Sequence, residues 1–174
     1  EIFSLQANQH NENGLPNTER LSRLLGADFA SQAVAVASEG VGISLKGWVG
    51  LPVNARAKAD KQYFYVNGRQ VKDRLVSHAI RQAYQDLLYG QRHPVYLLYL
   101  EVDPYQVDVN VHPTKHEVRF RDGNWVHSFI FSSLNKQLSQ ALVGQQAASG
   151  VNYPVSQPEE TPLAAAGLST NAKQ

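Results

Sequence analysis

One stretch of the sequence constrains the fold more than any other. Residues 95–102 read VYLLYLEV and are almost continuously apolar. A run of this length suits a central strand that is covered on both faces, because neither face then needs polar side chains. The segment before it, Asp73 to Leu88, carries an apolar stripe at helical spacing and is followed by Gly90. A buried strand next to an amphipathic helix predicts a sheet with helices packed on it.

The remaining segments alternate between the strand and helix periods. Further strands are predicted at residues 1–6, 33–37, 41–49, 63–66, 107–111 and 118–121, and further helices at 19–25, 28–32 and 124–142. Asn67-Gly68 is a tight-turn signal after the aromatic strand, and residues 51–61 are predicted to be an exposed loop. The sequence therefore predicts an α+β sandwich in which helices cover a mixed sheet.

Composition bounds the domain organisation. The chain has 174 residues, 43% of them hydrophobic, which is enough for one domain with a core. We expect an incoming linker or edge strand at 1–16, an α/β domain at 17–143, and a disordered linker tail at 144–174, where Gln, Ala, Ser and Pro replace the apolar period. The chain opens with Glu1 and lacks methionine, so it is expected to be a piece of a longer protein.

Several function classes are not favoured. No apolar run approaches the roughly 20 residues of a membrane span, and no signal peptide is visible. Cysteine is absent, which removes disulfides and thiolate zinc sites. His112 and His116 are four apart, but Pro113 interrupts the segment and no third ligand is near, so no metal site is predicted. There is no Gly-x-Ser-x-Gly elbow and no Gly-rich phosphate loop, so the chain alone is not expected to be an enzyme.

The charge distribution is uneven along the chain. Residues 46–92 hold nine basic and three acidic residues, a net charge of +6, whereas residues 1–45 carry −3 and residues 93–122 carry −2. A basic middle third is a candidate footprint for phosphate. The alternative is a solvated surface on which these charges are scattered.

Four of these cations belong to the predicted helix or its approach. Arg74 and Arg81 are seven residues apart and so lie on one face, and Arg69 and Lys72 precede the helix start, where the helix dipole favours anions. Grouped near one helix start, they predict binding to a nucleic-acid backbone. No aromatic residues are interleaved with them, so this binding is expected to be indifferent to sequence. A merely solvated helix face remains the alternative.

Lys115 is the other candidate. It lies in a loop between two patterned strands, where Pro113 fixes the backbone and the lysine is a mobile point charge on a fixed base. Such a lysine suits contact with a terminal phosphate. An ordinary solvent-exposed loop lysine is the alternative.

Three longer blocks carry a family resemblance. YFYVNGR at 63–69, DRLVSHAI at 73–80 and DVNVHPTKHEVRF at 108–120 closely resemble the MutL family of DNA mismatch repair proteins. The resemblance covers residues 17–142 and matches the second, transducer lobe of that family's N-terminal region. It implies a ribosomal-protein-type two-layer α/β fold with a left-handed crossover.

The same resemblance implies roles for particular residues. In the family, an ATP-binding lobe precedes this one and holds ATP, Mg²⁺ and the catalytic glutamate, so no catalytic residue is expected within this chain. Lys115 resembles the lysine that reaches the γ-phosphate, and Asn110 resembles another residue that affects the nucleotide state. Arg74 resembles an arginine of the DNA-binding groove; Arg69, Lys72 and Arg81 are added to that groove on charge alone.

The resemblance also implies a function and partners. We expect a module that couples ATP binding in the preceding lobe to closure and to sequence-independent DNA binding. Expected partners are the DNA backbone, the ATP-binding lobe of the same chain, other mismatch repair proteins and a second copy in a full-length homodimer. The expected location is the bacterial cytoplasm, at the nucleoid, with no membrane contact. The alternatives are a structural protein-interaction domain and the equivalent lobe of a type II topoisomerase.

Overall fold

The structure is a computed structural model, and it describes residues 18–108 and 116–148. Four helices and seven strands are formed in this part of the chain. The helices are α1 Thr18–Leu25, α2 Ala27–Gln32, α3 Arg74–Ala83 and α4 Gly123–Ala148. The strands are β1 Val34–Gly40, β2 Ile43–Val49, β3 Gln62–Val66, β4 Arg69–Val71, β5 Tyr96–Val102, β6 Val107–Asp108 and β7 Arg119–Phe120.

The main sheet has five strands in the order β1-β2-β5-β3-β4. The predicted central strand is confirmed, because β5 lies between β2 and β3. It runs antiparallel to β2 and parallel to β3, so the sheet is mixed as expected. The chain leaves β4, passes through α3 and returns to the middle of the sheet as β5. Strands β6 and β7 pair separately as a two-stranded antiparallel sheet.

Both faces of the sheet are covered. Alternate residues of a strand point to opposite faces, and Leu98 and Leu100 of β5 belong to the large apolar cluster with α3 and α4. Leu97 belongs to a smaller cluster with α1 and α2, against which Tyr99 packs. The continuous apolar run in β5 is thus explained by helices on both sides.

A glycine allows the two central strands to approach. Gly47 of β2 has φ 144°, and a Cβ at that position would lie 2.1 Å from the Leu97 carbonyl oxygen. No side chain other than hydrogen fits there, because the contact is with backbone rather than with a movable side chain.

Several predicted boundaries are wrong, three of them with a clear physical reason. Helix α3 ends at Ala83 instead of Leu88, because Tyr84 leaves the helical region with φ −96° and ψ 0°. The strand predicted at 41–49 begins at Ile43 instead, because Val41 lies in the β1–β2 turn and is 97% exposed. The last helix continues to Ala148, six residues beyond its predicted end, so residues 144–148 of the predicted disordered tail are helical.

Other predictions fall on residues outside the described ranges. These are the strand at 1–6, the last three residues of the strand at 107–111, the loop residues up to Lys115 and the tail after Ala148. Within the described ranges, no helix has the length and hydropathy needed to span a membrane.

Candidate nucleic-acid interface

A capping interaction fixes the start of α3. The carboxylate Oδ1 of Asp73 accepts a hydrogen bond from the Val76 N–H at 3.1 Å, and the Asp73 carbonyl accepts one from the Ser77 N–H at 3.0 Å. The cap satisfies a backbone donor that the first turn would otherwise leave open. Arg74 is therefore the first residue of the helix, and its side chain is exposed.

Three of the four cations predicted to bind nucleic acid lie on the continuous segment of chain that leads into α3. Arg69 begins β4, Lys72 follows β4 and Arg74 begins α3, and all three are exposed. Arg81 is also exposed, but it lies in the last turn of α3, about 10 Å along the helix axis from Arg74. The grouping of all four around the helix start is therefore wrong for Arg81, although seven residues, nearly two turns, keep it on the same flank as Arg74.

Most of these cations have no carboxylate partner in the part of the chain that the structure describes. Lys72, Arg74 and Arg81 form no ion pair with a carboxylate of residues 18–108 or 116–148, whereas Arg69 already interacts with another group of the described chain. Arg56 behaves differently, because its Nε lies 2.8 Å from Asp60 Oδ1. Hydrogen bonding and attraction by Arg56 hold the pKa of Asp60 below its ordinary value. Arg56 therefore adds little to the positive field.

The start of α3 is tied to the segment that carries the predicted nucleotide-sensing residues. The Lys72 N–H donates to the carbonyl of His116 at 2.6 Å. His116 directly follows Lys115, which, like Asn110, lies outside the described residues. Strand β6, which precedes that segment, pairs with β7, which follows it, through Val107–Phe120 and Asp108–Arg119. Asp108 and His116, the described residues that flank the segment, are thereby both hydrogen-bonded or paired within the lobe.

Two histidines connect α3 with α4. Nδ1 of His78 lies 2.9 Å from Nε2 of His127, so one ring donates and the other accepts. No group of three or more His, Cys, Asp or Glu side chains suited to a metal forms among the residues that the structure describes. Of the two histidines considered as ligands, His116 is exposed and His112 lies outside the described ranges.

Sequence reasoning missed a cleft beside the C-terminal end of α3. It has a volume of about 520 Å³, and both Arg81 and Arg92 line it. Arg92 is one of the nine cations of the basic segment, but no spacing rule connects it with Arg81. The chain turns back after α3 and places the two arginines on one concavity.

Comparison with known proteins adds the family. Residues 21–139 match the family described as "DNA mismatch repair protein, C-terminal domain", which covers more than half of the chain. The chain belongs to this DNA mismatch repair family. The resemblance inferred from the three sequence blocks is confirmed.

Individual relatives agree with the family match. The chain is 53% identical over 150 residues to the DNA mismatch repair protein MutL of Chromohalobacter salexigens, covering 86% of this chain and 23% of that protein. It is 51% identical over 139 residues to MutL of Pseudomonas fluorescens, covering 80% and 22%. The chain thus spans less than a quarter of the length of these MutL relatives.

A solved structure supports the fold. The crystal structure of the N-terminal domain of a DNA repair protein superposes with a TM-score of 0.58 at 20% sequence identity, covering 72% of this chain and 41% of that chain. At this identity the likeness concerns the arrangement of strands and helices. It agrees with the mixed α+β sandwich of this mismatch repair family member.

Proposed function

We propose that this chain is the mismatch repair module that binds the DNA backbone at the start of α3 and couples this binding to the nucleotide state of an ATP-binding lobe elsewhere in the same protein. The observation that carries the proposal is the hydrogen bond from the Lys72 N–H to the His116 carbonyl. It joins the exposed cations to the residue next to Lys115. A change in the position of that segment therefore acts directly on the DNA-binding end of α3.

The DNA contact rests on exposed positive charge. Arg74 is the central contact of the groove, and Arg69, Lys72 and Arg81 are its further cations. Phosphate contacts of this kind position a duplex without reading its sequence. Mismatch repair has to act at any sequence, so backbone binding fits the role.

In the proposed nucleotide contact, this chain supplies Lys115 and Asn110 to an ATP pocket that the preceding lobe forms. Its sequence contains no Gly-rich phosphate loop, so ATP and Mg²⁺ are bound mainly by the preceding lobe of the full-length protein, and this chain alone does not hydrolyse ATP. When bound there, ATP presents a γ-phosphate. Lys115 supplies a cation to it in the closed arrangement, and Asn110 contributes to the response. Closure and nucleotide affinity are then thermodynamically coupled.

The partners follow from this role. They are the DNA backbone, the ATP-binding lobe of the same chain, other mismatch repair proteins and a second copy in a full-length homodimer, acting in the cytoplasm at the nucleoid. Residues 17–143 form the core of the module, with 1–16 as its incoming segment and the residues after α4 as its linker. The family match and the identity to MutL favour this role over a type II topoisomerase lobe.

The DNA contact is tested by reversing one charge. We expect Arg74→Glu to weaken duplex binding and to lower the slope of log K against log salt by about 0.9, because one phosphate contact is lost. The control is Arg23→Glu, because Arg23 is an exposed arginine of α1, on the opposite side of the sheet, that already pairs with Glu19. Equal affinity and slope for Arg74→Glu across a salt titration would reject the contact.

The nucleotide contact is tested in the intact two-lobe protein. We expect Lys115→Ala to reduce both ATP turnover and nucleotide-driven closure, measured by small-angle scattering. Lys136→Ala is the control, since Lys136 is an exposed lysine of α4. Turnover and closure that match the unmodified protein would eliminate the role of Lys115.

A further inference from the structure

The main sheet has an open edge along β1. Strand β1 is the first strand in the order of the sheet, so only one of its sides pairs with β2. No backbone group of residues 18–108 or 116–148 bonds to its outer side. The opposite edge is formed by β4, which has only three residues and leads into the Lys72–His116 contact. The open edge therefore lies on the other side of the sheet from His116.

The turn that closes the β1–β2 hairpin decides which backbone groups of β1 face outward. Gly40 pairs with Ile43 across a two-residue turn, and the pair that flanks such a turn is hydrogen-bonded. Bonding to β2 then alternates along the strand, so the N–H and C=O groups of Ala35, Ala37 and Glu39 point away from β2. Three donors and three acceptors are left for a further strand.

Strand β1 lacks the features that usually protect an edge from pairing. Its sequence VAVASEG contains no proline and no lysine, and its seven residues make it as long as the central strand. Ala35 and Ala37 are small and exposed, so they leave room for a neighbouring strand. On the other face, a Cβ at Gly40 would lie 3.2 Å from Phe129 of α4, which is only partly buried. An apolar side chain of an added strand can pack there.

The face of the sheet opposite α4 gives this edge a negative charge. Glu39, Ser44 and Glu101 lie side by side across β1, β2 and β5, and all three line a concavity of about 320 Å³. No cation is among the described residues that line it. Lys46 is the next residue along β2 on this face, yet neither glutamate forms an ion pair with it or with another described cation. The two carboxylates are therefore available to a cation of a partner.

We propose that β1 is a docking edge for an extended segment of a partner protein, which adds a sixth strand to the main sheet and places a lysine or arginine beside Glu39 and Glu101. Main-chain hydrogen bonds to Ala35, Ala37 and Glu39 hold the segment, and its alternate side chains give specificity. Those on the α4 face are apolar, and those on the other face are polar, with a cation opposite Glu39. This contact goes beyond the proposed DNA and nucleotide contacts and does not depend on them.

The probe is a short fluorescein-labelled peptide in which valine alternates with lysine and threonine. It is titrated into the 174-residue chain, and binding is followed by fluorescence anisotropy and by amide hydrogen exchange. We expect saturable binding. Exchange at Ala35, Ala37 and Glu39 should slow by roughly tenfold or more in the complex, because their N–H groups then donate to the peptide.

The variant Ala37→Pro tests the backbone contact. Proline removes the outward N–H, and the edge tolerates it because that N–H does not bond to β2. We expect peptide binding to weaken by roughly tenfold or more. The matched control Ala37→Val keeps the N–H and should bind like the unmodified chain, and thermal melting checks that both variants are folded.

The variant Glu39→Lys tests the charge. The lysine peptide should bind it roughly 2- to 10-fold more weakly, because an attraction becomes a repulsion. A second peptide with glutamate in place of lysine should bind this variant more tightly than it binds the unmodified chain. Asp86→Lys makes the same charge change at an exposed position outside the sheet and should leave the binding of both peptides unchanged.

Three results would overturn the proposal. Slow exchange at Ala35, Ala37 and Glu39 in the free chain would show that the edge is already occupied, by a second copy if the protection rises with concentration and by another segment of this chain if it does not. Binding that persists in Ala37→Pro, or that leaves these amides unprotected, would reduce the contact to attraction between charges. Absence of binding by the lysine peptide would leave β1 an edge without a partner.

Discussion

Tyr84 shows how a single polar atom is accommodated in the core. Its side chain is fully buried at the end of α3, and its hydroxyl donates to the carbonyl of Gly50 at 2.5 Å. Burial raises the pKa of Tyr84 well above its ordinary value. The bond joins the helix end to the segment after β2, in agreement with the rule that a buried hydroxyl needs a partner.

Removing that hydroxyl has a defined cost. We expect Tyr84→Phe to lower the free energy of unfolding by about 1–2 kcal/mol, because the buried Gly50 carbonyl loses its donor. Urea unfolding measures the difference, with Tyr89→Phe as the exposed control. A stability equal to that of the control would show that the carbonyl finds another donor.

We expect the buried hydroxyl of Tyr96 to make the folded state less stable at alkaline pH. Burial raises the pKa of Tyr96 from 10.0 to about 12, so the folded state holds its proton more tightly than the unfolded state. The stabilisation is complete below pH 10 and is lost as the pH rises towards 12, an effect of about 2–3 kcal/mol.

The measurement is denaturant unfolding between pH 8 and 12. Tyr96→Phe should lose less stability over this range than the unmodified chain. Some loss remains, because burial raises the pKa of Tyr84 as well, so its hydroxyl ionises over this range only in the unfolded state. Parallel curves for the two proteins would show that Tyr96 does not carry the effect.

Among the elements, the close approach of β2 to β5 depends on the glycine at position 47. We expect Gly47→Ala to destabilise the chain by about 1–3 kcal/mol or more, because the added Cβ meets the Leu97 carbonyl. Gly42→Ala is the matched control, since Gly42 also has a positive φ but a Cβ there meets nothing within 4 Å. Equal losses by thermal melting would assign the effect to backbone conformation alone.

Elements governed by neighbouring residues were predictable from the sequence. The Asn67-Gly68 turn has φ angles of 47° and 83°, as the dipeptide predicts, and α3 begins at Arg74, one residue after its predicted start. The end of α3 was not predictable, because it depends on the distant contact between Tyr84 and Gly50. The central position of β5 was predicted, but its partners were not, because β5 pairs with β2 and β3, which are remote in sequence.

In the candidate site too, features set by neighbouring residues could be predicted, whereas features set by distant contacts could not. Exposure of Arg74 could be predicted from the apolar stripe of the helix, because Arg74 does not belong to that stripe. The cleft could not, because Arg81 and Arg92 come to line the same cleft only through the turn after α3. The roles of Lys115 and Asn110 stay predictions, since both residues lie outside the described ranges.

At the scale of the whole molecule, the two apolar clusters share strands. Leu21 of α1 and Ile130 of α4 are both fully buried, in clusters on opposite faces of β3 and β5. Loss of either cluster exposes the same strands, so the described lobe is expected to unfold as one unit.

Two variants test this expectation. Leu21→Ala and Ile130→Ala should each lower stability by about 2–5 kcal/mol while far-UV and near-UV circular dichroism still report one common transition. Two separate transitions in either variant would show that α1 and α2 melt independently of the rest.

The central position of β5 has a consequence for how the chain is made. Strands β1 and β2 form one hairpin and β3 and β4 another, and β5 alone joins them. On the ribosome, the two hairpins therefore stay separate until Val102 has left the exit tunnel. Nascent chains that stall before that point expose the edges of β2 and β3, where chaperones and other nascent chains can bind.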